Sequence, residues 1–121
     1  MSQDVVVFLE DVFMTTKIRE TAARHHKDVR IVRDLGGLEK RLSGPTPRLV
    51  LLDLAAVSLK PMELIERVKK QSDWSSARLV AFAPHSQAEL MEQANQAGAD
   101  AVMAKVDVAS RLDEILQGVS E

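Results

Sequence analysis

The sequence predicts an α/β fold: a doubly wound, five-stranded parallel sheet with helices on both faces. Two observations predict this class. Short aliphatic runs recur along the chain, and the run from Leu49 to Leu52 is apolar at every position, as expected for a strand buried on both faces of a parallel sheet. Segments with helical periodicity separate these runs, and alternation of this kind produces parallel strands joined by right-handed crossovers.

The composition indicates one small domain. The chain has 121 residues, 45% of them hydrophobic, which supplies one core but is too short for two ordinary domains, so we expect residues 1–121 to form a single domain. The 16 basic and 18 acidic residues are scattered, so no basic stripe is available for a nucleic acid, and direct DNA or RNA binding is not expected.

Targeting and metal-thiolate signals are absent from the sequence. There is no cysteine, and the three histidines lack a recognisable ligand spacing: His25, His26 and His85. The apolar run at residues 5–9 is too short for a signal sequence and is followed at once by two acids. We therefore expect a soluble cytoplasmic protein that does not act at a membrane.

The first half of the chain supplies two strands and two helices before the central strand. Residues 5–9 are β-branched and aromatic, which favours a buried strand. Residues 13–26 predict a helix, because four residues recur on one face: Met14, Ile18, Ala22 and His25. Residues 29–32 form the second predicted strand. A short, weakly patterned helix is expected to begin at Gly36 and Gly37 and to end near Ser43 and Gly44.

The second half continues the alternation from the central strand at residues 49–53. Pro61 occupies a position typical of a helix start. After a strand at 79–82, Ser86 and Glu89 have the capping-box pattern, and Gly98 is expected to end that helix in the left-handed conformation. After a strand at 101–104, Asp107 is expected to cap a last helix with this buried face: Val108, Leu112, Ile115, Leu116 and Val119.

Charged residues follow the first, third and fifth predicted strands. They are Glu10, Asp11, Asp53 and Lys105. In open α/β sheets ligands bind outside the carboxyl ends of the strands, so we expect three carboxylates and one ammonium group to meet there. Carboxylates this close repel unless a cation neutralises them, and an oxygen-rich site suits Mg²⁺. A carboxylate beside such a cation and a lysine can attack a phosphoryl group.

The sequence resembles the receiver domain of two-component response regulators, in its single-domain chemotaxis type, over essentially the whole chain. The resemblance rests on Glu10–Asp11, on the run from Leu49 to Asp53, on residues 97–100 before the fifth strand, and on Lys105 at the end of that strand. It implies a flavodoxin-like receiver fold with strand order 2-1-3-4-5.

The resemblance also implies roles for single residues. Asp53 becomes the phosphoacceptor and Lys105 the group that binds the phosphoryl oxygens. Asp11 and Asp53 become magnesium ligands, with Glu10 acting through water and the Ala55 carbonyl as a further ligand. The implied donor is a histidine kinase or a phosphotransfer protein. The implied output is a protein target bound through the fourth helix, fifth strand and last helix, with no enzymatic activity beyond self-catalysed phosphoryl transfer and hydrolysis at Asp53.

Several positions depart from the family pattern. Ala83 stands where a Thr or Ser is usual, and Val102 stands where an aromatic residue is usual. Val106 replaces the proline that normally follows the lysine, so we expect a trans bond there, since a non-proline cis bond costs about 2.5–4 kcal/mol. In the loop after Asp53 the usual Pro and Gly are Val57 and Pro61. Asp53 is thus expected to accept a phosphoryl group with a weakened or rerouted conformational response.

Other functions fit the sequence in part. The main alternative is a pseudo-receiver, a protein-interaction module that phosphorylation does not control; another is that the chain is part of a longer regulator, although Met1 and the capped last helix favour a complete domain. A haloacid-dehalogenase-type phosphatase needs a second acid where Ala55 stands, and Gly36–Gly37 lacks dinucleotide-binding spacing. His85 is either a residue at the rim of the acid pocket or a polar residue near a helix start.

Overall fold

The structure, a computed structural model, describes residues 4–70 and 73–118. Five strands form one sheet: β1 (Val5–Phe8), β2 (Val29–Val32), β3 (Leu49–Asp53), β4 (Arg78–Ala83) and β5 (Ala101–Ala104). The α-helices in these ranges are α1 (Val12–Arg24), α2 (Leu35–Leu42), α3 (Pro61–Lys70), α4 (Ala88–Ala97), α5 (Lys105–Ser110) and α6 (Leu112–Gln117). Two short 3₁₀ segments, Val57–Leu59 and Asp73–Ser76, complete the list.

The sheet is parallel throughout, with strand order β2-β1-β3-β4-β5. This confirms the predicted fold class and strand order. Every residue of β3 is buried, because the strand lies in the middle of the sheet and both of its faces are covered. One apolar layer, under α2, α3 and α4, contains Val50 and Leu52; the other, under α1, α5 and α6, contains Leu49 and Leu51. The pattern of alternate side chains on opposite faces is that of a doubly wound sheet.

The two helices of the first half begin earlier than predicted. Helix α1 begins at Val12, because the carboxylate of Asp11 caps it by accepting from the amides of Phe13 and Met14. It ends at Arg24, and His26 adopts a positive φ of 54°, so the predicted extension to His26 is wrong. Helix α2 begins at Leu35, one residue before Gly36, because Asp34 accepts from the Gly37 amide at 2.7 Å.

Two predicted caps are also wrong. A turn in which the Gln87 amide donates to the Pro84 carbonyl moves the start of α4 to Ala88, so Ser86 lies outside the capping position. Helix α5 begins directly after β5, at Lys105, so Asp107 lies in its first turn, where a carboxylate still favours the helix dipole.

Of the predictions for the last two helices, one is confirmed and one is wrong in part. The predicted last helix is divided at Arg111 into α5 and α6, and Val119 lies outside the described residues. Gly98 does end α4 with a φ of 117°, as predicted.

Within the described ranges, none of the helices combines the length and the apolar composition needed to cross a bilayer.

Lys60 holds a left-handed backbone conformation, with a φ of 50°, immediately before α3. A side chain in this conformation costs roughly 1–2 kcal/mol, whereas glycine adopts it without that strain but loses about 0.5–1 kcal/mol in chain entropy. Lys60→Gly is therefore expected to raise the free energy of unfolding by about 0.5–1 kcal/mol in urea titrations. Lys40→Gly, in the last turn of α2, is the matched control and is expected to lower the free energy of unfolding by about 0.5–1 kcal/mol. A destabilised Lys60→Gly variant would contradict the assignment of strain.

Candidate functional site

The end of the central strand places a carboxylate inside the protein. Asp53 is the last residue of β3, and only 4% of its surface is exposed to solvent. Its Oδ1 accepts a hydrogen bond from the Ala55 amide at 2.9 Å, and the Leu54 amide donates to the Phe82 carbonyl of β4. The two residues that follow the strand are therefore held by hydrogen bonds, one of them to the Asp53 carboxylate itself, at the carboxyl edge of the sheet.

The electrostatic surroundings of Asp53 include all three of the other predicted site residues. Burial raises the pKa of Asp53, while the Ala55 amide and the charge of Lys105 oppose that rise. The carboxylates of Asp11 and Glu10 add to the increase in pKa. The predicted group of charges is thus within electrostatic range of Asp53, as expected from strands that end at one edge.

Asp11 and Lys105 make the closest contact of the group. Asp11 Oδ1 caps α1 at 2.9 Å from the Phe13 amide and 3.2 Å from the Met14 amide, and its Oδ2 accepts from Lys105 Nζ at 2.5 Å. The lysine hydrogen bond, followed by the Met14 amide, lowers the pKa of Asp11. Among the described residues, Lys105 therefore pairs with Asp11 rather than with Asp53.

Glu10 is held by a residue that the sequence did not single out. Its Oε2 accepts from the Ser58 hydroxyl at 3.0 Å, which links the loop after β1 to the 3₁₀ segment after β3. Both side chains are exposed. The two residues are 48 positions apart and a single serine has no sequence signature, so only the fold reveals this contact.

The predicted metal ligands match Mg²⁺ in chemistry but are not gathered as a preformed cluster. Across residues 4–70 and 73–118, no three acidic or histidine side chains lie close enough to one another to hold a metal ion. The Ala55 carbonyl accepts from the Val57 amide at 2.9 Å, which leaves its second lone pair for another donor or an ion. The donors Glu10, Asp11, Asp53 and Ala55 are all oxygen atoms, the type that a hard cation prefers.

The positions that depart from the receiver pattern include Ala83, Val102 and Val106, which lie in or directly after β4 and β5. Ala83 is fully buried at the end of β4 and has no hydroxyl to offer. Val102, in β5, packs partly buried against the layer under α2, α3 and α4. The Lys105–Val106 peptide bond is trans, as predicted. His85 is exposed in the loop between β4 and α4.

Four exposed apolar side chains, which we call the apolar rim, follow the charged site residues within four positions in sequence. Phe13 is 89% exposed at the start of α1, Val57 is 75% exposed after β3, and Val106 is 63% exposed after Lys105; Val12 is the fourth. The elements that carry them all begin at the carboxyl edge of the sheet. The rim was not predicted from the sequence, although Asp11 as a helix cap would place Phe13 on the first turn of α1.

Asp100, part of the motif before β5, acts at the opposite edge of the sheet. Its Oδ2 accepts from Lys69 Nζ at 2.7 Å and from the Leu79 amide at 2.8 Å. The second hydrogen bond satisfies a backbone amide near the start of β4. Lys69 Nζ also donates to the carbonyls of Ser75 and Ala77. The carboxylate thus joins α3, β4 and the loop before β5, which gives this part of the motif a structural role.

Comparisons with solved structures show the fold of response-regulator receiver domains. A response regulator from Hahella chejuensis aligns with a TM-score of 0.84 at 19% identity, over 98% of this chain and 95% of that one. A signal receiver domain from Bermanella marisrubri gives 0.82 at 20% identity over the whole of both chains. The N-terminal receiver domain of a Bacteroides fragilis two-component response regulator gives 0.80 at 18% identity, over 100% of this chain and 98% of that one. No protein-family model and no curated protein matches the sequence.

Proposed function

We propose that this chain works as a receiver in two-component signalling and accepts a phosphoryl group on Asp53. The observation that carries the proposal is the buried Asp53 carboxylate at the end of the central strand, within electrostatic range of an acid pair and a lysine. Solved receiver domains share the fold over nearly the whole chain, which agrees with this function. A cytoplasmic location is part of the proposal and rests on the sequence prediction alone.

The proposed reaction is a single displacement at phosphorus. One carboxylate oxygen of Asp53 attacks the phosphorus atom, and a P–O bond to Asp53 forms as the bond between phosphorus and the donor breaks. The electron pair of the broken bond stays with the donor. Asp53 must be ionised to attack, so its raised pKa makes the rate increase as pH rises through that pKa.

Lys105 has two alternative partners in this proposal. Its ammonium group pairs with Asp11 in the described arrangement, and it exchanges that contact for the oxygens of the transferred phosphoryl group. A fixed cation near those oxygens stabilises the charge that develops in the transition state. Asp11 remains held by the amides of Phe13 and Met14 when the lysine leaves.

We propose Mg²⁺ as the cofactor, held by Asp11, Asp53 and the Ala55 carbonyl, with Glu10 acting through water. When bound, a magnesium ion would neutralise the carboxylates and the phosphoryl oxygens. The carboxylates of Asp11 and Glu10 repel that of Asp53 and help to raise its pKa. This repulsion supports the assignment, because a cation would relieve it. The Ser58 hydroxyl holds Glu10 toward the loop that contains Ala55.

The proposed partners are a protein phosphodonor and a separate protein target. A histidine kinase or phosphotransfer protein is the proposed donor, and the exposed apolar rim around the acid residues supports a protein rather than a small molecule in that role. The target is proposed to bind α4, β5 and α5–α6. The response of that surface is expected to be weak, because a hydrogen bond to a charged group supplies roughly 1.5–3 kcal/mol and Ala83 cannot make it, whereas a full switch from 1:99 to 99:1 takes about 5.5 kcal/mol.

The proposal is tested by intact mass spectrometry after incubation with a small acyl phosphate and magnesium. We expect one phosphoryl adduct on the wild-type protein and none on Asp53→Asn. Asp73→Asn alters an exposed acid before β4 and is the matched control, expected to behave as the wild type. An adduct that persists in Asp53→Asn, or a wild-type protein that stays unmodified with fresh donor and excess magnesium, would contradict the proposal.

A pseudo-receiver is the second candidate function, and the residues at the switch positions favour it. Ala83, Val102 and Val106 lack the groups that would couple a phosphoryl group to the rest of the fold. A titration with Mg²⁺ followed by backbone amide NMR separates the two functions. A phosphoacceptor is expected to give saturable shifts at residues 10–13 and 53–57, whereas a module independent of phosphorylation needs no such site.

A further inference from the structure

An open cavity of about 1050 Å³ lies at the edge of the sheet opposite to Asp53. It is bounded by the amino ends of β3, β4 and β5 and by α6. The register pairs Leu49 with Arg78 and Val80 with Ala101, so these lining residues stand side by side on neighbouring strands. The cavity is therefore built on the rigid sheet, and no step of the proposed phosphoryl transfer uses it.

Three arginines line this cavity: Arg48, Arg78 and Arg111. The Arg78 amide donates to the Arg48 carbonyl at 3.1 Å, so the first two are neighbours across adjacent chain segments. Neither of their guanidinium groups forms an ion pair with the described part of the chain, although the charge of Arg78 helps to lower the pKa of Asp100.

The acids that line the cavity are already engaged. Asp4 Oδ2 accepts from the Asp28 amide at 2.8 Å. Glu114 pairs with Arg111 at 3.2 Å, in an exposed contact that solvent screens. Asp4 keeps its negative charge, but the three arginines of the lining outnumber its two acids, and Arg48 and Arg78 have no ion-pair partner among the described residues. A guanidinium fork is well suited to phosphate or carboxylate oxygens.

The inner wall of the cavity is apolar. Val80 is buried, and Ala101, Met103 and Ile115 pack partly buried against the same core layer. These three side chains are only partly buried, so part of each remains accessible from the cavity. The cavity thus combines this apolar wall on the sheet with polar and charged groups around it, and small-molecule sites also pair apolar contacts with polar groups that fix orientation.

We propose that this cavity binds a small organic anion, with Arg48 and Arg78 holding a phosphate-like group and Met103 and Ile115 contacting an apolar body. The volume lies just above the range typical of small-molecule sites, roughly 300–1,000 Å³, because the cavity is open to solvent. The proposal is independent of phosphorylation at Asp53, because the two sites occupy opposite edges of the sheet. The anionic group supplies recognition by charge, and the apolar body supplies burial against the sheet.

The test is a titration of the full chain with 1-naphthyl phosphate, monitored by backbone amide NMR. Inorganic phosphate and 1-naphthol, the two halves of this ligand, are titrated separately. We expect saturable shifts at residues 76–80, 101–103 and 111–118, with a dissociation constant at least tenfold lower than for either half. Arg78→Met is expected to raise the dissociation constant for 1-naphthyl phosphate about tenfold, because it removes a charge-assisted hydrogen bond. Arg19→Met, at an exposed site on α1, is the matched control and should leave binding unchanged.

Three results would overturn the proposal. The first is the absence of saturable shifts at the cavity, including the case in which the shifts map to the Asp53 edge. The second is equal binding of phosphate alone, which would remove the role of the apolar wall. The third is an Arg78→Met protein that binds as tightly as Arg19→Met.

Discussion

Lys105→Met is expected to slow phosphoryl transfer from a small acyl phosphate to Asp53 by about 10²–10³-fold, the range found when a single preorganised electrostatic group is removed from a reacting centre. Lys105 is the cation that contacts the acid group directly, and its charge also opposes the rise in the pKa of Asp53. Methionine keeps most of the side-chain volume but has no charge. Removing the lysine charge raises the pKa of Asp53 further, and it also removes the cation that stabilises the transition state. Both effects disfavour attack by the Asp53 carboxylate.

The rate is measured by intact mass against time at fixed donor and magnesium concentrations. Lys40→Met, on the exposed face of α2, is the control for removing a lysine charge elsewhere. Asp11 keeps its two amide donors in the Lys105→Met protein, so circular dichroism should show a folded domain with α1 intact. A variant that accepts phosphate at the wild-type rate would show that Lys105 takes no part in the transfer.

Asp53→Asn is expected to raise the stability of the domain at neutral pH, although it abolishes phosphoryl acceptance. Burial is the main reason that the pKa of Asp53 is raised, so the ionised carboxylate is unfavourable in the folded state. An asparagine oxygen can still accept from the Ala55 amide. Each pKa unit of the shift corresponds to about 1.4 kcal/mol, and an increase of that size in the free energy of unfolding raises the Tm by roughly 3–6 °C for a chain of this length.

The sign of the pH dependence follows from proton binding. Between the unfolded pKa of Asp53 and its raised folded pKa, the folded protein binds more protons than the unfolded chain, so stability falls as pH rises through this window. The advantage of Asp53→Asn is therefore largest above the folded pKa and disappears as pH falls below the unfolded value. Urea titrations of both proteins from pH 4 to pH 8 measure this difference. A destabilised variant at pH 8, or a difference that does not change with pH, would contradict the assignment.

Asp53 illustrates a conflict between stability and function. A buried carboxylate within electrostatic range of two other acids weakens the fold, yet the proposed function needs a nucleophile at this position on the carboxyl edge of the sheet. Functional sites commonly retain such unfavourable groups. The expected gain in stability on removing the charge is thus a consequence of the proposed function.

The fold could be predicted because its signals are local. The aliphatic run at residues 49–52 and the β-branched run at 5–9 each identify a buried strand without reference to the rest of the chain, and the alternation with helical segments fixes the class. Helix ends were less predictable because they depend on backbone turns. Ser86 has the chemistry of a cap, but the turn from Pro84 to Gln87 moves the helix start past it.

The sequence predicted which charged residues form the candidate site but not which of them form hydrogen bonds with one another. The strand-end rule brought together Glu10, Asp11, Asp53 and Lys105, and the pKa of Asp53 reflects all of them. The sequence could not show that Lys105 selects Asp11, since this depends on where α5 begins relative to β5. The arginine-lined cavity likewise depends on strand register and on the length of α6, which no local pattern encodes.

The most direct test of the account is to locate the phosphoryl group chemically. Reduction of the phosphorylated protein with borohydride converts an aspartyl phosphate to homoserine, and peptide mass spectrometry then identifies the position. We expect homoserine at residue 53 alone, and none when the donor is omitted. Conversion at Glu10, Asp11 or another acid, or no conversion in a protein incubated with fresh donor and magnesium, would contradict the central claim that the carboxylate at the end of β3 is the phosphoacceptor.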